Sequence, residues 1–335
     1  TANNPQTLWA SKTSDYQNHA IVDLDESALI FTLNTDQVNV IEWINAGKVL
    51  IIGTAGGEFA CSASTETEAL VPGNVRVVRH STYGSKTKVT PQRVEQVLLF
   101  VQRAGRKLRE FVFNDATNSY VAPDMTVLAD HITATGMTRL AFQQEPNRLV
   151  WATLGNGSLI CFTYERSQQV TAWHRHTIGG TGSTVESIAV IPHPDGDKDR
   201  LWMIVNRTVN GSTKRYIEYL ESDWDRTNAV TSAFFVDSGL SYSGASTTTI
   251  TGLDHLEGET VSILADGQEL VGGELLRAGT SRQYTATEAL QLTIGNAAGL
   301  TLVINGREVP SLGGTGQVRI LTITHENVDS IIDKS

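Results

Sequence analysis

Along the first two thirds of the chain, apolar runs come in pairs around a short Gly-containing stretch, and the pair returns four times. The copies are Val49 to Ala60 around Ala55-Gly56-Gly57, Val97 to Phe111 around Ala104-Gly105, Leu149 to Phe162 around Asn156-Gly157, and Leu201 to Glu218 around Asn210-Gly211. Starts at 49, 97, 149 and 201 set a period of about 50 residues, within the range of propeller blades. Asn-Gly and Gly-Gly tolerate the positive φ angles of tight turns, so each copy reads as a β-hairpin. A further apolar stretch precedes each hairpin (Val38 to Trp43, Arg93 to Glu95, Met137 to Phe142, Val185 to Val190) and suits the innermost strand of a blade. Apolar positions seldom recur at three and four, so long helices are not expected. The pattern predicts an all-β chain with a β-propeller of blade-like repeats over residues 1–250. A sandwich or a β-solenoid built of hairpins satisfies the same pattern.

Residues 251–335 change character. The alternations Leu290/Leu292/Ile294 and Leu300/Leu302/Ile304 read as two strands with one buried face, joined by a Gly-Asn turn and ended by Asn305-Gly306. A small β-sandwich follows.

Composition narrows the function classes. A net charge of -10 over 335 residues argues against wholesale binding to nucleic acid or anionic membranes. Nowhere is there an apolar run of about 18 residues, and the opening Thr1-Ala2-Asn3-Asn4-Pro5 carries neither a basic nor an apolar leader segment, so no membrane contact is expected. The first residue is not Met, and the chain is read as a piece of a longer one whose N-terminal part is missing. Cys61 and Cys161 each sit in an apolar, strand-like run, the setting of a buried thiol rather than a bridge.

Candidate chemistry is sparse. Trp173-His174-Arg175-His176 puts two imidazoles on one side of a strand, but no third metal ligand is evident nearby. Asp195-Gly196-Asp197-Lys198-Asp199 opens like a calcium loop, yet its sixth position is Arg200 and its twelfth Asn206, so the EF-hand pattern fails and a polar loop is the simpler reading. Gly179-Gly180-Thr181-Gly182 is not followed by Lys-Ser/Thr or a helix and is read as a turn. Carboxylate pairs such as Asp23/Asp25 and Asp223/Asp225 are common on acidic surfaces and assign no glycosidase. No catalytic residue, cofactor or metal is assigned. The basic cluster Arg103, Arg106, Lys107 and Arg109 is placed at the tip of the second hairpin, where it stands as a solvated tip, a contact to a neighbouring subunit through acids such as Glu42 or Glu58, or a contact to passing DNA.

Several ordered motifs carry a resemblance. Thr54-Ala55-Gly56-Gly57-Glu58, Val101 to Glu110, Tyr120 to Ala129, Gln143-Gln144-Glu145-Pro146, Trp173-His174-Arg175-His176, Arg215-Tyr216-Ile217-Glu218 and Gly252-Leu253-Asp254-His255 together resemble tailed-bacteriophage tail proteins of the short-tail tubular or nozzle type, over roughly residues 1–266. The resemblance implies a virion structural protein, assembled in the host cytoplasm as a homo-oligomeric ring, a hexamer in the family, around the DNA exit channel. Adjacent tail or adaptor proteins would be its partners, with transient contact to DNA. Ala265-Asp266-Gly267-Gln268 to Gly279, Leu290 to Ala297 and Leu300 to Gly306 resemble the periplasmic C-terminal β-domain of the bacterial rod-shape protein RodZ, which implies an appended Ig-like module without RodZ's membrane and DNA-binding parts. Two other functions fit the same residues: a cell-envelope glycan-binding module using Trp173, Trp224 or Tyr242 as stacking platforms, and a propeller glycosidase.

Overall fold

The computed structural model describes residues 3–22, 24–35, 38–65, 68–180, 182–209, 212–224, 238–239, 261–274, 282–295, 297–310, 312–314 and 317–332. These form an all-β chain of small antiparallel sheets. A two-stranded sheet of β1 (Thr7–Ala10) and β2 (Leu29–Thr32) comes first. Next is a four-stranded sheet ordered as in the sequence, β3 (Ile41–Ala46), β4 (Leu50–Thr54), β5 (Gly57–Ser62) and β6 (Arg76–Ser81). The same meander recurs as β7 (Gln92–Val94), β8 (Val97–Val101), β9 (Leu108–Asn114) and β10 (Ser119–Val121). It recurs again as β11 (Met137–Gln143), β12 (Leu149–Leu154), β13 (Leu159–Glu165) and β14 (Val170–His176). A three-stranded sheet of β15 (Thr184–Pro192), β16 (Asp199–Val209) and β17 (Ser212–Tyr219) follows. The repeated hairpins of the sequence are therefore β4/β5, β8/β9, β12/β13 and β16/β17. Of the fourth strands, β6 and β10 carried no signal of their own, being polar or short, and β14 was visible only at Trp173 to His176.

The first four sheets pack face to face in chain order. Leu8 and Phe31 of the β1/β2 sheet meet Ile52, Phe59 and Cys61. On the opposite face of that four-stranded sheet, Trp43 and Ile51 meet Leu98, Phe100 and Phe111 of the next. Val97, Leu99, Val101 and Leu108 then face Val150, Ala152, Ile160 and Phe162. All five residues of β8 are buried, because its odd positions serve one interface and its even positions the other. A strand covered on both sides reads as an unbroken apolar run instead of an alternation, and this explains why the hairpins were so visible.

Backbone hydrogen bonds stitch the hairpin turns to the strap that enters the next sheet. Ser85 N–H donates to Thr54 C=O at 2.8 Å, Arg103 N–H to Gly84 C=O at 2.9 Å, Met137 N–H to Gly105 C=O at 2.8 Å, and Gly155 N–H to Gly136 C=O at 2.8 Å. Gly84 has φ +71°, and a Cβ there would lie 2.2 Å from the Ala55 carbonyl oxygen. Both constraints demand glycine. The Asn156-Gly157 turn differs from the expected pair of positive φ angles: only Gly157 (φ +81°) adopts one. The Asn210-Gly211 turn lies outside the described residues.

The C-terminal part forms a sheet ordered β19-β18-β20-β23, from β18 (Val261–Ala265), β19 (Gln268–Glu274), β20 (Ala289–Ile294) and β23 (Arg319–Thr324). Between β20 and β23 lie β21 (Val303–Ile304) and β22 (Arg307–Glu308), and the helix α1 (Val328–Ile332) follows the sheet. Leu292, Ile294, Val309, Leu312, Ile323 and Ile332 make its core. Leu300 to Ile304 does not pair with β20 as expected. β20 already has β18 and β23 on its two sides, the chain turns through a 3-10 segment at Ala297–Gly299, and Val303–Ile304 pairs with β22 instead. Asn305 and Gly306 (φ 50° and 79°) are the turn of that small hairpin. The chain divides into two compact units, Thr1–His176 with Ile188–Asp199, and Thr177–Ser187 with Arg200–Ser335. The expected boundary at 250/251 lies outside the described residues.

The stitched turns generate a test. Gly84→Ala is expected to destabilise the chain by about 1–3 kcal/mol in urea unfolding, through positive φ and overlap with a carbonyl. Gly73→Ala is the control: it has open space around it and is expected to stay within about 0.5 kcal/mol of the parent.

Candidate functional site

The turn joining β8 to β9 is closed by Gln102 N–H on Lys107 C=O (2.9 Å) and by Gly105 N–H on Gln102 C=O (2.7 Å). It carries the basic cluster, which divides into a surface part and a buried part. Arg103 is exposed. Arg106 pairs with Asp130 at 2.8 Å and Lys107 with Asp124 at 2.7 Å, both cations 47% exposed. Hydrogen bonds from Lys107 and Thr126 outweigh the opposing effect of burial and hold the Asp124 carboxyl below its ordinary value.

Arg109 is not at the surface, contrary to its place in the expected contact cluster. It is buried, its Nε donates to Gln102 Oε1 at 2.8 Å, its Nη1 donates to the Ala122 carbonyl at 2.6 Å, and its guanidinium lies 3.4 Å from the centre of the Tyr83 ring. Its charge acts on Glu58. This residue is fully buried in β5 and accepts hydrogen bonds from Ser81 Oγ and, at 2.9 Å, from Ser85 Oγ. Burial pushes its pKa up, while the serine hydroxyls, Arg109 and the Gly84 N–H pull the other way. Glu58 is thus unavailable to a neighbouring subunit, held chiefly by its two serine hydroxyls. Glu42 is half-buried and accepts from Thr87 Oγ1 at 3.0 Å. The surface that remains for contact is Arg103, Arg106 and Lys107.

His174 and His176 share one side of β14, as the strand period requires. His176 Nε2 lies 2.9 Å from His174 Nδ1, and their ring centres lie 4.8 Å (His176) and 6.3 Å (His174) from that of Trp151. Burial lowers both imidazole pKa values, so neutral rings sharing a proton are favoured. Among the described residues, the group of three metal-type ligands lies elsewhere: His193, Asp195 and Asp197 offer atoms within 4.8 Å of one another. His193 went unnoticed in the sequence because the loop was matched to a carboxylate-only template. Asp199 turns away and accepts from the Gln144 and Glu145 N–H groups at 2.8 and 3.1 Å. Trp173 is not a free platform: it stacks on Phe162 at 4.6 Å and donates to the Met125 carbonyl at 2.8 Å. Trp224 is half-buried, and Tyr242 lies outside the described residues.

Residues 260–322 match the family model of the RodZ C-terminal domain. The match spans β18 to β22 and most of β23, so the C-terminal part is RodZ-like in sequence. An open groove of about 240 Å³ crosses this part over Leu290, Leu302, Ile304 and Ile323. No curated protein matches the chain.

Two measurements probe these two buried charges. Arg109→Met is expected to cost about 1–3 kcal/mol in denaturant unfolding, since it leaves Gln102 Oε1 and the Ala122 carbonyl without their donor, whereas Arg103→Ala is expected to change stability by less than about 0.5 kcal/mol. Because Glu58 has a raised pKa in the fold, its contribution is fully present below its ordinary value of 4.5 and is lost as pH rises through the folded value. The melting temperature of Glu58→Gln relative to the parent is therefore expected to be more favourable at pH 8 than at pH 4, with calorimetry at the two pH values as the check.

Proposed function

We propose that the chain is a structural subunit of a tailed-phage tail, in which the stacked meanders belong to a β-propeller and copies assemble as a ring around the DNA exit channel. The observation that carries this reading is the serial, face-to-face packing of meander sheets at a regular spacing, stitched along one end by their hairpin turns. Radial repetition of such sheets is how a propeller protects its strand edges. Motifs spread from Thr54 to His255 support the phage assignment through their likeness to tail tubular and nozzle proteins. In this reading the RodZ-like part is an appended Ig-like module, and Arg103, Arg106 and Lys107 face a neighbouring subunit or passing DNA. Ring formation places the same patch at every subunit boundary, so modest pairs are multiplied by symmetry.

Mass spectrometry of density-purified particles from the source culture tests the proposal. Peptides from around Leu98 to Arg103 and from around Gln283 to Asn296 are expected together, in multiple copies per particle and alongside tail proteins. Abundance in cells with absence from particles would sink it.

A further inference from the structure

The outer strands of the β7–β10 sheet and the turn after β13 border an open pocket of about 560 Å³, independent of any tail assembly. Its apolar lining is Val112, Phe113, Ala116, Val121 and Pro123. At one side stands Glu110, only 8% exposed, with its Oε1 at 3.1 Å from Nε of Arg166, which is 51% exposed. Beside Glu110 is the buried Tyr164 hydroxyl. Burial first, and the nearby Glu110 charge second, keep that hydroxyl protonated.

The remaining polar groups alternate in kind. Arg166 spends its Nε on Glu110, leaving its Nη groups as donors. Asn114 uses its Oδ1 to accept from the Ala116 and Thr117 N–H groups at 3.0 and 3.3 Å, leaving its Nδ2 as a donor. The exposed Asp115 carboxylate supplies acceptors. A free anion would meet two carboxylates here, and a free cation would meet a guanidinium. The complementary molecule is neutral, carries hydroxyls that both donate and accept around its rim, and has an apolar C–H face. The volume lies within the range of small-molecule sites.

We propose that this pocket binds a neutral saccharide, with Arg166, Asn114 and Asp115 hydrogen-bonding its hydroxyls and Val112, Val121 and Pro123 receiving its C–H face. Saturation-transfer NMR on the whole chain tests this, with maltose, cellobiose and N,N′-diacetylchitobiose as probes and glucuronic acid and glucosamine as charged controls. Transfer to the ring C–H protons of at least one neutral disaccharide is expected. Arg166→Ala and Asp115→Ala are each expected to weaken it about tenfold, as loss of a hydrogen bond to a charged group does. Both side chains are substantially exposed, so melting temperature serves as the folding control, and Arg166→Lys, which keeps charge without the planar fork, is expected to fall between. Silence from all three disaccharides, binding of a charged control alone, or binding unchanged in both alanine variants would overturn the proposal. The titration needs no particle, so its outcome and that of the particle experiment are separate.

Discussion

Burial of the inner strands β4, β5, β8, β9, β12 and β13 on both faces is the constraint from which the first part of the molecule follows. Such a strand has no solvent side on which to place polar residues, so β8 is apolar throughout and β12 and β13 nearly so. Large side chains then alternate between two interfaces: Phe100 and Phe111 lean towards Trp43, while Leu99 and Leu108 lean towards Ile160 and Phe162. Aromatic contacts such as Phe111 on Tyr120, with ring centres 4.9 Å apart, carry packing outward to the edge strand. The polar residues are displaced to turns and outer strands, which is why those parts are irregular in sequence.

The few charges that remain inside are paired in ways that depend on the same packing. Glu58 and Arg109 sit on different sheets, Glu58 held by two serine hydroxyls and Arg109 by Gln102, the Ala122 carbonyl and the face of Tyr83, with the Arg109 charge also acting on Glu58. Arg207 is a more extreme case in the sheet of β15, β16 and β17: fully buried, it grips Glu218 with Nε and Nη2 at 2.8 and 2.9 Å and donates from Nη1 to the Gly179 carbonyl at 2.5 Å. Such pairs add little net stability over an apolar filling, but removing one member is costly. Their consequence here is register, since a one-residue slip would turn each charge into the opposite interface.

How much of this was legible in the sequence follows from the same physics. The hairpins announced themselves because two-sided burial writes long apolar runs, and Gly-containing turns punctuate them. The short strand β10 did not, because Ser119-Tyr120-Val121 is half-buried and has no alternation to detect. Arg109 was misplaced because a charge two residues after a turn looks exposed in one dimension. Only its partners Gln102, the Ala122 carbonyl and the Tyr83 ring explain where it goes. His193 was missed for a related reason, as a histidine two residues before Asp195 matched no carboxylate template. In the C-terminal part, Leu300/Leu302/Ile304 had the period of a strand, but pairing is decided by vacancy, and β20 had none.

The glycines mark where the architecture tolerates least variation. Gly84 contacts the Ala55 carbonyl, Gly105 and Gly136 approach one another, and a Cβ on Gly155 would lie 2.7 Å from the Thr135 carbonyl oxygen. Each belongs to a turn or strap whose backbone bonds to the adjoining repeat. The sheets can vary their outer strands in length and polarity without disturbing this row, as β6, β10 and β14 do. The turns and straps cannot, because a Cβ at Gly84 or Gly155 overlaps a facing carbonyl and Gly105 and Gly136 hold positive φ angles of 87° and 83°. Variation is therefore pushed to the outer rim, where Asn114, Asp115 and Arg166 are found and where recognition chemistry can change without loss of the stack.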